Sequence, residues 1–211
     1  MRLCFTVLST LIAALLLVPA VAFAGDTWTD PEPGVRHLTR VAEYDHTPGD
    51  TYRAYGLVID LTHPAVEVEA TPPDQKGGTV SDFANRNGLE AAWNANFFAN
   101  TSTPCGMMVG AGKVWQTAYE DGCDSAVGVG AEKAAVATNP PLKGPVPEAW
   151  MEHVVSGKPG PILVDGKPQF SYGCSTWCPY QPRTGLGVDK TGTKLIVAVI
   201  DGRSTKSVGA G

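Results

Sequence analysis

Glycine and proline punctuate this chain from one end to the other. There are 24 glycines and 17 prolines among 211 residues, and each disfavours a helix interior, by roughly 1 kcal/mol for glycine and 3 kcal/mol for proline. The stretches between them are short and read as strands separated by turns. Tyr52 to Ala70 reads as strand, turn, strand. Leu57, Ile59 and Leu61 alternate on one side, Thr62-His63-Pro64 breaks the run, and Val66, Val68 and Ala70 alternate again.

Further strands are expected at Met107–Val109, Val114–Thr117, Ala126–Val129, Ile162–Val164 and Gly185–Val188, with Asp165-Gly166 as a hairpin turn. Leu195 to Ile200 is a near-continuous apolar run, the pattern of a strand buried on both faces. One helix is expected, from Thr79 to Asn87, because Thr79 and Asp82 have the spacing of a capping box and Gly88 supplies a stop. These elements predict an α+β fold: a strand-rich single domain with a twisted mixed or antiparallel sheet and few helices. Pro-rich residues 139–147 read as a surface excursion.

The first 24 residues have the form of an export signal. Arg2 precedes an apolar run from about Leu11 to Phe23, closed by Ala22-Phe23-Ala24. The run falls short of the roughly 20 apolar residues a membrane span needs, and no later stretch is apolar enough to span. The expected organisation is a signal peptide at 1–24, an extended leader at 25–50 and a domain at 51–211. The expected location is outside the cytoplasm, extracellular or periplasmic.

Of the five cysteines, Cys4 lies in the leader and Cys105, Cys123, Cys174 and Cys178 remain. An even number in an exported protein points to disulfides. Three connectivities are open. Local pairing, Cys105–Cys123 and Cys174–Cys178, is the expected one because each pair brackets a short loop-like stretch. A four-cysteine zinc site is the other reading, although the spacing lacks paired Cys-x-x-Cys knuckles.

The formal charge of −5 disfavours nucleic acid as a partner. His37, His46, His63 and His153 have no metal-ligand spacing, so neither metal nor cofactor is expected. The chain has no nucleophile elbow, phosphate-binding loop or dinucleotide fingerprint.

Three polar clusters sit at the edges of apolar strands. In Asn94-Ala95-Asn96-Phe97-Phe98, the amides could hold sugar hydroxyls over a ring, or satisfy a turn at a strand end. In Arg183-Thr184-Gly185-Leu186-Gly187, the arginine offers a planar fork of donors for phosphate or carboxylate, or is a surface residue at a strand start. In Asp201-Gly202-Arg203, just past a buried strand, the side chains could face a cleft, or pair with each other in a turn.

The order of these clusters resembles the phosphodiester glycosidase family. The similarity starts near Pro33-Gly34-Val35, runs through the strand pair at 55–70, Asn94–Phe98, Gly106 and the stretch from Ser156 to Gly166, then Arg183–Gly187. It ends at Asp201-Gly202-Arg203-Ser204 with Ser207 and Gly209. The resemblance implies a hydrolase of sugar phosphodiesters or related glycosidic bonds, with a carbohydrate or sugar-phosphate substrate. It implies catalytic roles for Asp201, Arg203 and Arg183: an arginine on the phosphate and Asp201 in acid/base or positioning work. Asn94, Asn96, Phe98 and Thr184 would bind substrate. Trp177, in the loop held by Cys174 and Cys178, could stack on a sugar or serve packing. It also implies that the domain continues beyond Gly211 into a helix and an Asp-Gly-Gly-Gly-Ser segment. The competing readings are a non-catalytic carbohydrate- or cell-envelope-binding module on the same fold, and a structural envelope protein. The sequence leaves the oligomeric state open.

Overall fold

The computed structural model describes residues 25–44, 47–100, 102–120, 122–142, 144–158, 160–169, 181–204 and 207. The leader at 1–24 and the loop carrying Cys174, Trp177 and Cys178 lie outside these residues. In chain order the elements are β1 (Thr27–Glu32), β2 (Val35–Tyr44), β3 (Thr47–Asp60), α1 (Val80–Asn87), β4 (Phe98–Asn100), β5 (Thr103–Pro104), β6 (Val109–Gly110) and β7 (Lys113–Val114). Then follow β8 (Ser125–Gly130), β9 (Lys133–Thr138), β10 (His153–Gly157), β11 (Leu163–Val164), β12 (Lys167–Pro168), β13 (Arg183–Val188) and β14 (Lys194–Ile200).

The fold is mostly β, which corrects the expected α+β class. The described residues hold a single α-helix, and it is two turns long. One five-stranded sheet has the order β1-β2-β3-β14-β13 and a second has β7-β6-β10-β8-β9. Their pairings are antiparallel throughout. The expected helix forms where its caps place it: the Thr79 hydroxyl accepts the Asp82 amide, the Asp82 carboxylate accepts the Thr79 amide, and Gly88 turns left-handed. One helix of this length buries too little to form a layer of its own, and the two sheets cover each other instead.

Residues 25–50, read as an extended leader, enter the first sheet as β1, β2 and the start of β3. Pro33-Gly34 makes the turn between β1 and β2, with Gly34 at φ 80°, the backbone that a proline–glycine pair is suited to. The expected strand at 66–70 does not form. That segment runs unpaired across the second sheet, where the Ala70 amide donates to His153 Nδ1 and the Thr71 carbonyl accepts Trp115 Nε1. β9 and β10 form where no strand was expected.

The main core lies between the sheets. Ile59 at the end of β3 and Leu61 just past it, with Leu195 and Val197 from β14, meet Val127, Val129 and Ala134 of β8 and β9. A second core fills the other face of the second sheet, from Met107, Val109, Ala126, Met151 and Val154. The strand covered on both faces is therefore β8, four of whose consecutive residues are buried. In β14 only Leu195 and Val197 are buried, while Ile196 is 40% exposed. This corrects the expectation that Leu195–Ile200 is buried on both sides. The apolar residues on its outer face face no second layer among the described residues.

The turn between β13 and β14 locks the two sheets together. The Asp189 carboxylate accepts the amides of Thr193 at 3.0 Å and Lys194 at 2.9 Å and the Thr191 hydroxyl at 2.6 Å. Its pKa is lowered chiefly by the Thr191 hydroxyl. From the same turn, the Gly192 carbonyl accepts the Ala134 amide of β9 at 2.7 Å.

Candidate functional site

A cleft of about 1440 Å³ opens between the inner face of the first sheet and the chain from Ala65 to Asn96. Its volume exceeds the roughly 300–1,000 Å³ of an ordinary small-molecule pocket. Side chains alternate across a strand, so the register decides which of them face this space. Leu57 and Tyr55 of β3, His37 of β2, and Leu186 and Val199 of β13 and β14 share the inner face and line the cleft. The rings of His37 and Tyr55 lie parallel, 3° apart in plane and 6.5 Å between centres. They come from different strands, and no local sequence signal marks them as a pair.

Asn94, Asn96 and Phe98 all line the same cleft. Asn96 is 91% buried, and its Nδ2 donates to the carbonyls of Cys105 at 2.9 Å and Met107 at 3.3 Å. Two carbonyl acceptors fix which way the amide is turned. Its Oδ1 is buried and has no hydrogen-bond partner. The Cys105–Cys123 disulfide, the pairing expected from the sequence, holds the segment on which Asn96 hangs. Next to it Gly106 sits at φ 72°, where a Cβ would lie 2.6 Å from that of Ser156. Phe98 is 58% exposed, as a ring available to stack must be.

Asp201 and Thr184 lie further along the inner face. Thr184 is paired with Val199, and the Asp201 amide donates to the Arg53 carbonyl at 2.9 Å, which sets Asp201 opposite Arg53. The Asp201 carboxylate is exposed and accepts the amide of Gly202 at 2.8 Å. Arg183 is paired with Ile200, so it belongs to the outer face of the sheet. Arg203 adopts a left-handed backbone at φ 60° and its Nε donates to Gln181 Oε1 at 2.6 Å. The structure thus brings Asn94, Asn96 and Phe98 into one cleft and sets Thr184 and Asp201 on the face that continues it. Arg183 is on the other face.

Two residues escaped the sequence reading. Arg53 stands opposite Asp201, and its Nε is buried with no hydrogen-bond partner among the described residues. His153 lines the cleft, and its Nδ1 accepts the amides of Ala70 and Ala111, each at 3.2 Å. Burial lowers its pKa, against a smaller upward pull from Glu152, Glu69 and Glu67. Neither residue sits in a recognisable motif, and strand pairing alone reveals them. No group of three or more metal-ligating side chains gathers among the described residues.

The phosphodiester glycosidase family model matches residues 87–211. That stretch holds Asn94, Asn96, the disulfide, Arg183 and Asp201-Gly202-Arg203. A comparison with curated proteins returned no match.

Proposed function

Since the chain belongs to the phosphodiester glycosidase family, we propose that it hydrolyses a sugar phosphodiester or a related glycosidic bond in extracellular or cell-surface glycans. The observation that carries this reading is Asn96. An amide oxygen buried without a partner costs about 1–3 kcal/mol. Its position in the cleft wall makes a sugar hydroxyl the natural donor to it. Asn94 beside it and the exposed Phe98 ring add a polar and a stacking contact.

Breaking a glycosidic bond builds positive charge on the sugar and requires help for the leaving group, usually from a carboxyl. Asp201 fills the acid/base or positioning role. A phosphate ester leaves readily when a cation steadies its charge, which is the role the resemblance gives to Arg183 or Arg203. Thr184 and Trp177 complete the proposed substrate contacts. Action outside the cytoplasm is supported by the N-terminal pattern and the Cys105–Cys123 bridge. No helix among the described residues is long and apolar enough to cross a membrane.

The first substrate to offer is an N-acetylglucosamine-1-phosphodiester, the class cleaved by the mannose 6-phosphate uncovering enzyme, whose catalytic domain the chain resembles. Release of the free sugar by the wild type, abolished in Asp201→Asn, supports the hydrolase. Binding of the phosphodiester without turnover by the wild type would replace it with the carbohydrate-binding reading.

A further inference from the structure

The end of the first sheet carries four arginines, and their surroundings separate them. Arg40, paired with Ala54, gives its Nε and one terminal nitrogen to the Asp26 carboxylate. Arg183 is paired with Ile200 and stands on the face away from the cleft. Arg203 gives its Nε to Gln181. Arg53 is two residues from Tyr55 and four from Leu57 on β3, so it shares the face that lines the cleft.

The Arg53 guanidinium has no ion-pair partner among the described residues. Its Nε is buried and makes no hydrogen bond. Asp201, directly across the strand pair, forms no ion pair with it and accepts the Gly202 amide instead. A half-buried cation left in this state is expensive unless an anion completes it. Its two terminal nitrogens are not among the buried unpartnered atoms, and together they form a two-pronged donor edge matched to two oxygens of a phosphate.

The backbone beneath this guanidinium is fixed. The Arg53 amide donates to Ser207 Oγ at 3.0 Å, and that hydroxyl donates to the Asp201 carbonyl at 2.7 Å. A side chain held on so rigid a strand end is suited to positioning an anion beside the Asp201 carboxyl.

We propose that Arg53 is the anion-binding residue of the site and takes the phosphate oxygens of the substrate, in place of Arg183 and Arg203. The inference rests on the phosphodiester reading above and names the residue that recognises the charged half of that substrate.

The probe is inorganic phosphate, titrated at constant ionic strength into the full chain as wild type, Arg53→Met, Arg53→Lys and Arg36→Met. Calorimetry should show binding at least tenfold weaker in Arg53→Met, an intermediate loss in Arg53→Lys, and wild-type behaviour in Arg36→Met, whose arginine lies on the outer face opposite Val58 and pairs with Asp30. Should Arg53→Met fail to fold, the arginine Nε resonance of Arg53 in the wild type reports directly, and phosphate should shift it. No phosphate binding by the wild type, equal binding by Arg53→Met, or an unmoved Arg53 resonance each overturns the proposal. Hydrolysis of the sugar phosphodiester is followed on the same preparations. Arg53-dependent phosphate binding without hydrolysis removes the hydrolase reading and leaves the anion site. Hydrolysis unaffected by Arg53→Met removes the anion site and leaves the hydrolase.

Discussion

The hydroxyl of Ser207 is inserted between the amide of Arg53 and the carbonyl of Asp201, 3.0 Å from the first and 2.7 Å from the second. One bond of the β3–β14 ladder survives at this pair, from the Asp201 amide to the Arg53 carbonyl. The reciprocal bond runs through the serine. The strands are thereby held apart at Asp201 while both backbone groups stay satisfied. Ser207 itself is fully buried and bonds by its own amide and carbonyl to Ser204.

Replacing Ser207 by alanine leaves a part-buried amide and a part-buried carbonyl without partners. Each orphaned group costs about 1–3 kcal/mol. Urea denaturation of Ser207→Ala should show a loss within that range, with Ser207→Thr losing less. Unchanged stability in the alanine variant would mean that the strands close up and pair directly.

Asp201→Asn keeps the shape of the side chain and removes its charge and its proton chemistry. Steady-state kinetics should show turnover falling by about 10²–10⁴-fold, the range expected when a general acid or base is lost. Binding of the phosphodiester should persist. A variant that turns over like the wild type takes Asp201 out of the chemistry.

The Cys105–Cys123 bridge spans 18 residues and both cysteines are buried. Closing a loop of this size is worth about 3 kcal/mol in the chain-entropy account. Cys105→Ser should therefore melt well below the wild type. It should also weaken binding in the cleft, because Asn96 hangs from the Cys105 carbonyl. Native protein should resist reductant until it unfolds.

His153 makes stability depend on pH in a defined direction. Its folded pKa lies below its ordinary value of 6.5 because burial opposes the charged form. Below pH 6.5 the unfolded chain binds the proton first, so stability falls as the pH drops from 6.5 toward the folded pKa and is full above 6.5. Protonating Nδ1 would also remove the acceptor of the Ala70 and Ala111 amides. Denaturation midpoints between pH 8 and pH 5 should fall in the wild type and flatten in His153→Gln. The lowered pKa values of Asp26, Asp60, Asp82 and Asp189 act at lower pH, around and below their ordinary 3.8.

Signals that live in a few adjacent residues were legible in the sequence. The Thr79/Asp82 caps located α1, Asp165-Gly166 located the β11–β12 turn, and the apolar run at 195–200 located β14. Asn94, Asn96 and Phe98 stood out because their types cluster along the chain, and the fold sets all three on the cleft. Long-range assignments failed where one strand reads like another. The segment 66–70 has the alternation of a strand, yet its bonds go to His153 and Trp115. The apolar residues of β14 gave no indication which face would be covered.

The sequence by itself determined that this chain builds from short strands and where its helix begins and ends. Those properties follow from steric and hydrogen-bonding preferences spanning a few residues. Only the tertiary structure decided that two antiparallel sheets share one core and that Arg53 meets Asp201 while Arg183 turns away. It also placed Ser207 against Arg53, 154 residues distant in sequence. Such placements depend on register, and shifting a strand by one residue reverses the face of every side chain it carries.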